Sequence, residues 1–261
     1  MGAERLILIE GMIGAGKTTT ARLVETWLTS RGEDARAFQE LAEDHPIRTR
    51  AVDQLREHYR QLAEPPGPAG DGGVAGVYAA GQWRRLAERC RHGQQTVILE
   101  STFLQNSVMP TFVEGAPPET AREIFTTIER EAAAAEPLLI YLRPTDIASA
   151  IARVHRERGE AWAAQNMAWV AARPWARSRD LGGREAVIRL YQAWEGVVDD
   201  LYGRYSFGKL MVTDPQQDWD TALARIYVAV RTMTEPGAAR SLAARSDSRS
   251  ASSARLAAII P

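Results

Sequence analysis

One cysteine, Cys90, is present, so no disulfide can form within the chain, and a reducing compartment suits it. Long apolar runs are missing as well. Leu6 to Ile9 is apolar for only four residues before Glu10, too short for a secretory signal or a membrane span, and nothing later is long enough to cross a bilayer. The expectation is a cytoplasmic protein with no membrane partner. Charge of one sign is also lacking: the formal net charge is -1 and the pI about 6.5, which leaves no basic field to hold a nucleic-acid polymer. Neither H-E-x-x-H nor paired C-x-x-C occurs, which argues against a metal held in a cage of protein ligands. Lysine is the scarcest charged residue, with Lys17 and Lys209 set against thirty arginines. A lysine at position 17 therefore marks a place where a compact ammonium fits and a planar guanidinium does not.

What is present is enough for one large domain: 261 residues, 45% hydrophobic and 25% charged. Arg5 to Glu10 is an unbroken apolar run closed by an acid, the pattern of a strand buried on both faces of a parallel sheet. A glycine-rich turn follows. From Lys17 to Ser30 the apolar residues Ala21, Val24, Trp27 and Leu28 recur at helical spacing, and Gly32 closes the helix. Further strands are expected at Ala35 to Glu40, Thr96 to Glu100, Pro137 to Leu142 and Lys209 to Thr213. Helices are expected up to about Leu62, from Val77 to His92, from Glu185 to Tyr205 and from Asp218 to Val230. The proline- and glycine-rich stretch from Glu64 onward cannot hold regular structure and reads as a mobile surface loop at 64–77. After Met233 a Ser/Ala/Arg tract without apolar periodicity reads as a disordered tail, 233–261. Alternation of strands and helices predicts an α/β fold of three layers, with an open, mostly parallel sheet of about five strands flanked by helices.

Gly11-Met12-Ile13-Gly14-Ala15-Gly16-Lys17-Thr18 matches G-x-x-x-x-G-K-S/T at every fixed position and lies between an expected strand and an expected helix. In that context the backbone N–H groups from Gly11 through Thr19 can cradle phosphates, Lys17 reaches the β/γ oxygens, and Thr18 offers a hydroxyl to Mg²⁺. ATP and Mg²⁺ are the expected cofactors. A GTPase usually carries N/T-K-x-D, and neither Lys17 nor Lys209 lies in one. The further signatures of large motor ATPases are not found. A small-molecule kinase is what remains.

Here the chain resembles the nucleoside and nucleoside-monophosphate kinases, in particular the deoxynucleoside kinase and thymidylate kinase-like group, over roughly residues 4 to 230. The resemblance implies that Glu40, in Phe38-Gln39-Glu40 after the second strand, accepts the proton of the attacking hydroxyl. It implies that Glu100, at the end of the third strand, helps hold Mg²⁺. In the family an arginine follows that acid, whereas this chain has Glu100-Ser101-Thr102. The lid implied by resemblance spans about 147–182, with Arg153, Arg156 and Arg158 closing over the γ-phosphate; a solvated basic helix is the other reading of these arginines. Gln82 resembles the glutamine that holds a base, with Trp83 and Arg84 beside it as acceptor contacts, or Trp83 as a core residue. Trp162, Trp169 and Trp175 line a pocket for a flatter or larger acceptor, or pack helices. His45 reads as polar surface.

The expected domain is therefore a P-loop kinase domain at 1–232, acting on a small-molecule acceptor, with nucleosides and nucleoside monophosphates the first class to test and a homodimer allowed. Two alternatives stay open: an O-phosphotransferase acting on an antibiotic or specialised metabolite, and a nucleotide-switch ATPase that works through a protein partner.

Overall fold

The computed structural model describes residues 6–47 and 80–234. The loop at 64–77, the helix expected up to Leu62, residues 77–79 of the next helix and the tail beyond 234 lie outside the described residues. The apolar run Leu6–Gly11 forms β1, and every one of its residues is buried. Such a strand needs neighbours on both edges. β1 pairs in parallel with β3 (Thr96–Glu100), Leu6 opposite Val97 and Ile9 opposite Glu100. On its other edge it pairs in parallel with β4 (Leu138–Arg143), Ile7 opposite Leu138. β2 (Ala35–Phe38) lies outside β3 and β5 (Lys209–Thr213) outside β4, so the order is β2-β3-β1-β4-β5, parallel throughout.

This topology places the chemistry. In a parallel sheet all strand C-termini share one edge; the chain runs from β1 to β2 on one side and from β3 across to β4 on the other side of β1, so the crevice there is a natural ligand site. Glu10, Glu100 and, two residues past β2, Glu40 all come to that edge because each ends or follows a strand running the same way.

Helices cover the sheet: α1 (Lys17–Ser30), α2 (Ala80–His92), α3 (Met109–Val113), α4 (Pro118–Ala132), α5 (Ile147–Arg158), α6 (Glu160–Ala171), α7 (Pro174–Arg177), α8 (Gly183–Arg204) and α9 (Trp219–Thr234). Their buried stripes follow helical spacing, as with Ala21, Val24 and Leu28 in α1 and Ile124, Phe125 and Ile128 in α4. Together with the strands they form the three-layer α/β architecture expected from the sequence.

Boundaries moved for identifiable reasons. β2 stops at Phe38, paired with Leu99, and not at Glu40, because the Glu40 N–H turns to the Glu100 carboxylate (3.4 Å) instead of a ladder carbonyl. β4 starts at Leu138 because Pro137 has no N–H to give; its carbonyl accepts from the Tyr205 hydroxyl at 2.7 Å. α9 runs to Thr234, so the boundary of the expected tail at 233 falls inside a helix, with Met233 packed against the core.

Candidate active site

The loop between β1 and α1 is built on glycines that other elements press against. Gly14 has φ +73°, and a Cβ there would lie 2.0 Å from Val154 of α5; Gly16 has φ +97°, and a Cβ there would lie 2.5 Å from the indole of Trp219. Both positions thus require the left-handed backbone and the missing side chain. Gly16 is also the N-cap of α1. It offers no capping side chain and the first turn holds no acid, so the free N–H groups and positive end of the helix stay open to an anion. Lys17 is 8% exposed, and its Nζ donates to the Gly11 and Met12 carbonyls, both at 2.9 Å. Burial pulls its pKa down, opposed by the nearby carboxylates of Glu40, Glu10 and Glu100.

Those carboxylates are differentiated by their surroundings. Thr18 Oγ1 donates to Glu100 Oε2 at 2.7 Å, joining the P-loop hydroxyl to the strand-end acid. Glu40 is half-buried, and its pKa is raised first by burial, with Lys17 opposing and Glu100 reinforcing the rise. Glu10 is fully enclosed and accepts the N–H of Phe103 at 2.7 Å and of Gln105 at 3.3 Å, tying the loop after β3 to the end of β1. That loop starts at Ser101 with φ +60° and is closed by Ser107 Oγ donating to the Thr102 carbonyl at 2.6 Å.

Burial pushes Glu10 from 4.5 up to about 7 despite those donors, and burial likewise brings Glu195 of α8 to about 7. A carboxyl whose folded pKa is raised stabilises the fold fully below the unfolded value and loses that contribution as pH rises through the folded one. Unfolding free energy is therefore expected to fall between pH 4.5 and 7, by on the order of 3 kcal/mol per group at most. In Glu10→Gln the slope should be shallower, leaving the part due to Glu195 and Glu40. Equal slopes for the two proteins in denaturant melts across that range would contradict this.

A cavity of about 610 Å³ opens over these groups. It gathers Ile13, Gly14, Gly16, Lys17, Thr18 and Thr19 of the loop with Glu40, Glu100, Arg153 and Arg158. Arg153 donates to the Gly14 carbonyl at 3.3 Å, and the Gln216 side-chain amide donates to the same oxygen. Met12 and Ala15 are buried beneath the loop and line a smaller cavity of about 120 Å³ that shares Arg153 and Gln216 with the larger one.

Several expected site residues are not brought there. Arg156 and Arg158 are both exposed, but Arg156 lines neither cavity, whereas Arg158, at the last position of α5, lines the larger one with its guanidinium over the Trp162 ring at 4.6 Å. Gln82, Trp83 and Arg84 on α2 do not line the cavity. Trp83 is fully buried with its ring edge-on to Phe103 at 5.7 Å, and Arg84 donates to Glu131 at 2.6 Å on the outside of the molecule. For Trp83 and Arg84 the place as acceptor contacts is corrected: Trp83 belongs to the core and Arg84 to an exposed ion pair. Trp162 and Trp169 line the cavity, but Trp175 packs against Phe112. His45 is buried, not surface, with Nε2 3.1 Å from Thr102 Oγ1 and Nδ1 2.6 Å from the Ile47 carbonyl. It ties the segment after β2 to the loop after β3.

Gln105, Met109, Tyr191, Gln216 and Trp219 also line the cavity and carried no motif. Their only sequence signal is position, since Gln105 and Gln216 follow strands that end at the same sheet edge as the P-loop. Among the described residues no group of three or more His, Cys, Asp or Glu could hold a metal ion, and no helix is long and apolar enough to cross a membrane.

No protein-family model matches the chain, and no curated protein matches it. Solved structures do. The thymidylate kinase of Ehrlichia chaffeensis superposes with a TM-score of 0.50 at 10% identity, over 88% of this chain and 99% of that one. The thymidylate kinase of Candida albicans gives a TM-score of 0.49 at 13% identity, over 90% and 95%. At such identity the first likeness establishes a P-loop nucleotide and nucleoside kinase-like fold.

Proposed function

We propose that this chain is an ATP- and Mg²⁺-dependent phosphotransferase that moves the γ-phosphoryl group to a hydroxyl of a small molecule, nucleoside-type compounds being the first acceptors to test. The observation that carries this reading is the meeting, in one cavity, of a phosphate-cradling loop, a buried lysine, a hydroxyl–carboxylate pair, a second carboxylate and two arginines.

Each residue has a role its setting supports. The N–H groups at the start of α1 and Lys17 hold the β- and γ-phosphates. Thr18 and Glu100 supply two hard oxygens 2.7 Å apart, a donor set suited to Mg²⁺ that arrives with nucleotide phosphates rather than residing in a protein cage. When bound, that ion neutralises charge on the phosphate oxygens. Glu40, with its raised pKa, takes the proton of the acceptor hydroxyl. The hydroxyl oxygen bonds to the γ-phosphorus while the bond from that phosphorus to the β–γ bridging oxygen breaks, and ADP leaves with the electron pair. Arg153 and Arg158 meet the charge that develops on the transferred group.

The lid assignment separates three arginines that sequence spacing grouped. Arg153→Ala and Arg158→Ala should each lose on the order of 10²-fold or more in turnover with a much smaller change in ATP affinity. Arg156→Ala should behave as wild type, because Arg156 does not line the cavity. Three near-normal variants, or a defect confined to Arg156→Ala, would refute the assignment.

The function itself is tested by incubating the protein with ATP and Mg²⁺ against three sets: nucleosides, nucleoside monophosphates and hydroxylated antibiotics. One set should raise ADP formation well above the hydrolysis background, because the acceptor completes the site and excludes water. Slow hydrolysis indifferent to every set and accelerated by a protein partner would favour a nucleotide switch.

A further inference from the structure

Between α5 and α6 the chain turns on a single residue. Gly159 caps the end of one helix and the start of the other, with φ 87° and ψ 167°, a conformation that glycine alone takes without strain. A joint without a side chain leaves the angle between the helices to contacts made across it. His155, one turn before the joint, is 5% exposed, and its Nε2 lies 3.2 Å from Asn166 Oδ1 on α6. Among the described residues this is the only side-chain hydrogen bond that joins the two helices. The His155 ring also stands edge-on to the Trp162 indole, with centroids 6.0 Å apart. Its Nδ1 is buried and has no partner among the described residues, so the one proton of the neutral imidazole belongs on Nε2, the nitrogen that faces an acceptor. His155 itself lines neither cavity.

What His155 touches does reach the cavity. Trp162 and Asn166 both line the larger one, and the Trp162 ring carries the Arg158 guanidinium at 4.6 Å. Arg158 is exposed and makes no ion pair among the described residues, so the indole is the contact that gives its guanidinium a direction. That direction bears on the chemistry. Burial dominates the pKa shifts of Glu40 and Lys17, but the Arg158 charge reaches both groups. Without its platform, a guanidinium on a flexible stem samples rotamers that do not face the phosphate end. A chain of contacts thus runs from a buried imidazole, through Asn166 and Trp162, to an arginine beside the reacting groups.

We propose that His155 is a positioning residue for phosphoryl transfer: by donating to Asn166 and backing the Trp162 indole, it fixes α6 against α5 and so holds the Arg158 guanidinium over Trp162, toward the phosphate end of the cavity. Its effect on rate rests on the phosphotransferase reading above. Its effect on the place of Arg158 holds with or without turnover.

The test compares the full chain with His155→Leu, which loses both ring and hydrogen bond, and with His155→Gln, whose amide places an N–H near the former Nε2. Steady-state kinetics use ATP, Mg²⁺ and the acceptor that most accelerates ADP formation. Independently, proton–nitrogen NMR follows the Arg158 Nε–H, which the ring current of the indole beneath it displaces. His155→Leu should lose roughly 10- to 100-fold in kcat while KM for ATP changes less than about threefold. Its Arg158 resonance should move to the position of an unstacked arginine, and His155→Gln should recover most of both losses. In an Arg158→Ala background, adding His155→Leu should cost less than about twofold more, because the group it positions is already gone. His155→Phe, which keeps a buried ring and loses the bond, carries the same expectations if the Leu variant does not fold. Wild-type kcat in the variant that lacks the bond, an Arg158 resonance that does not move, no recovery with Gln, or losses that multiply in the double variant would each overturn the proposal. The two readings fail separately. A displaced Arg158 resonance that Gln restores, with no transfer to any acceptor, would sink the phosphotransferase and leave His155 in its place, whereas normal transfer with an unmoved resonance would do the reverse.

Discussion

Replacing Lys17 by alanine is expected to lower phosphoryl transfer by at least 10²- to 10³-fold while the protein stays folded. The ammonium is buried and satisfied by two carbonyls of its own loop, so it is held where phosphates enter and contributes little to the apolar core. Alanine leaves those carbonyls at the edge of an open cavity, where water can replace the lost donor, and the midpoint of thermal unfolding should change by no more than a few degrees. Lys17→Arg should fail almost as badly. The position is 8% exposed and fits a point charge between two loop carbonyls, and a planar fork with its own spacing does not reproduce that geometry. The arginine variant is informative because this chain uses arginine nearly everywhere else. Steady-state kinetics that show either variant near wild type would remove Lys17 from the phosphate site.

Glu40→Gln should abolish transfer to the acceptor, by roughly 10²- to 10⁴-fold, with nucleotide affinity preserved. The amide keeps the shape of the side chain and the Glu40 N–H still bonds to Glu100, but it cannot take a proton. The pH profile gives a second reading. Burial raises the Glu40 pKa above the ordinary value of 4.5, and the base form is the active one, so wild-type activity should fall as pH drops through a value higher than that of a free carboxylate. In Glu40→Gln that acid limb should vanish from the residual rate. A variant with normal turnover, or one whose acid limb is unchanged, would assign the proton to another group.

Most of the frame was legible in the sequence because it rests on local rules. A fully buried strand reads as an unbroken apolar run, and Leu6 to Ile9 left no other interpretation. The P-loop reads from its glycines, and α1 and β5 fell where helical and strand periodicity put them. Glu40 and Glu100 were named through the family resemblance, and the parallel sheet accounts for their coming to the same edge as the P-loop. Other features depend on what lies across the fold. Glu10 looked only like the end of a strand, but its carboxylate organises a loop more than ninety residues away in sequence. Arg153 and Arg156 share spacing, whereas the cavity takes Arg153 and Arg158, because Arg158 is the last residue of its helix and lies over Trp162, which lines the cavity. Trp83 was a case of two signals in conflict. Its resemblance to a base-binding neighbour competed with the stripe Trp83, Leu86, Ala87 and Cys90, and burial followed the stripe.

The central claim is that the γ-phosphorus of ATP ends on an acceptor hydroxyl bound in this cavity. Phosphorus NMR of a reaction containing the protein, ATP, Mg²⁺ and the acceptor that most accelerates ADP formation tests it directly. The account predicts a new phosphate monoester resonance that grows in step with ADP and is absent with Lys17→Ala and Glu40→Gln. Growth of inorganic phosphate alone, at the same rate with and without acceptor, would contradict it.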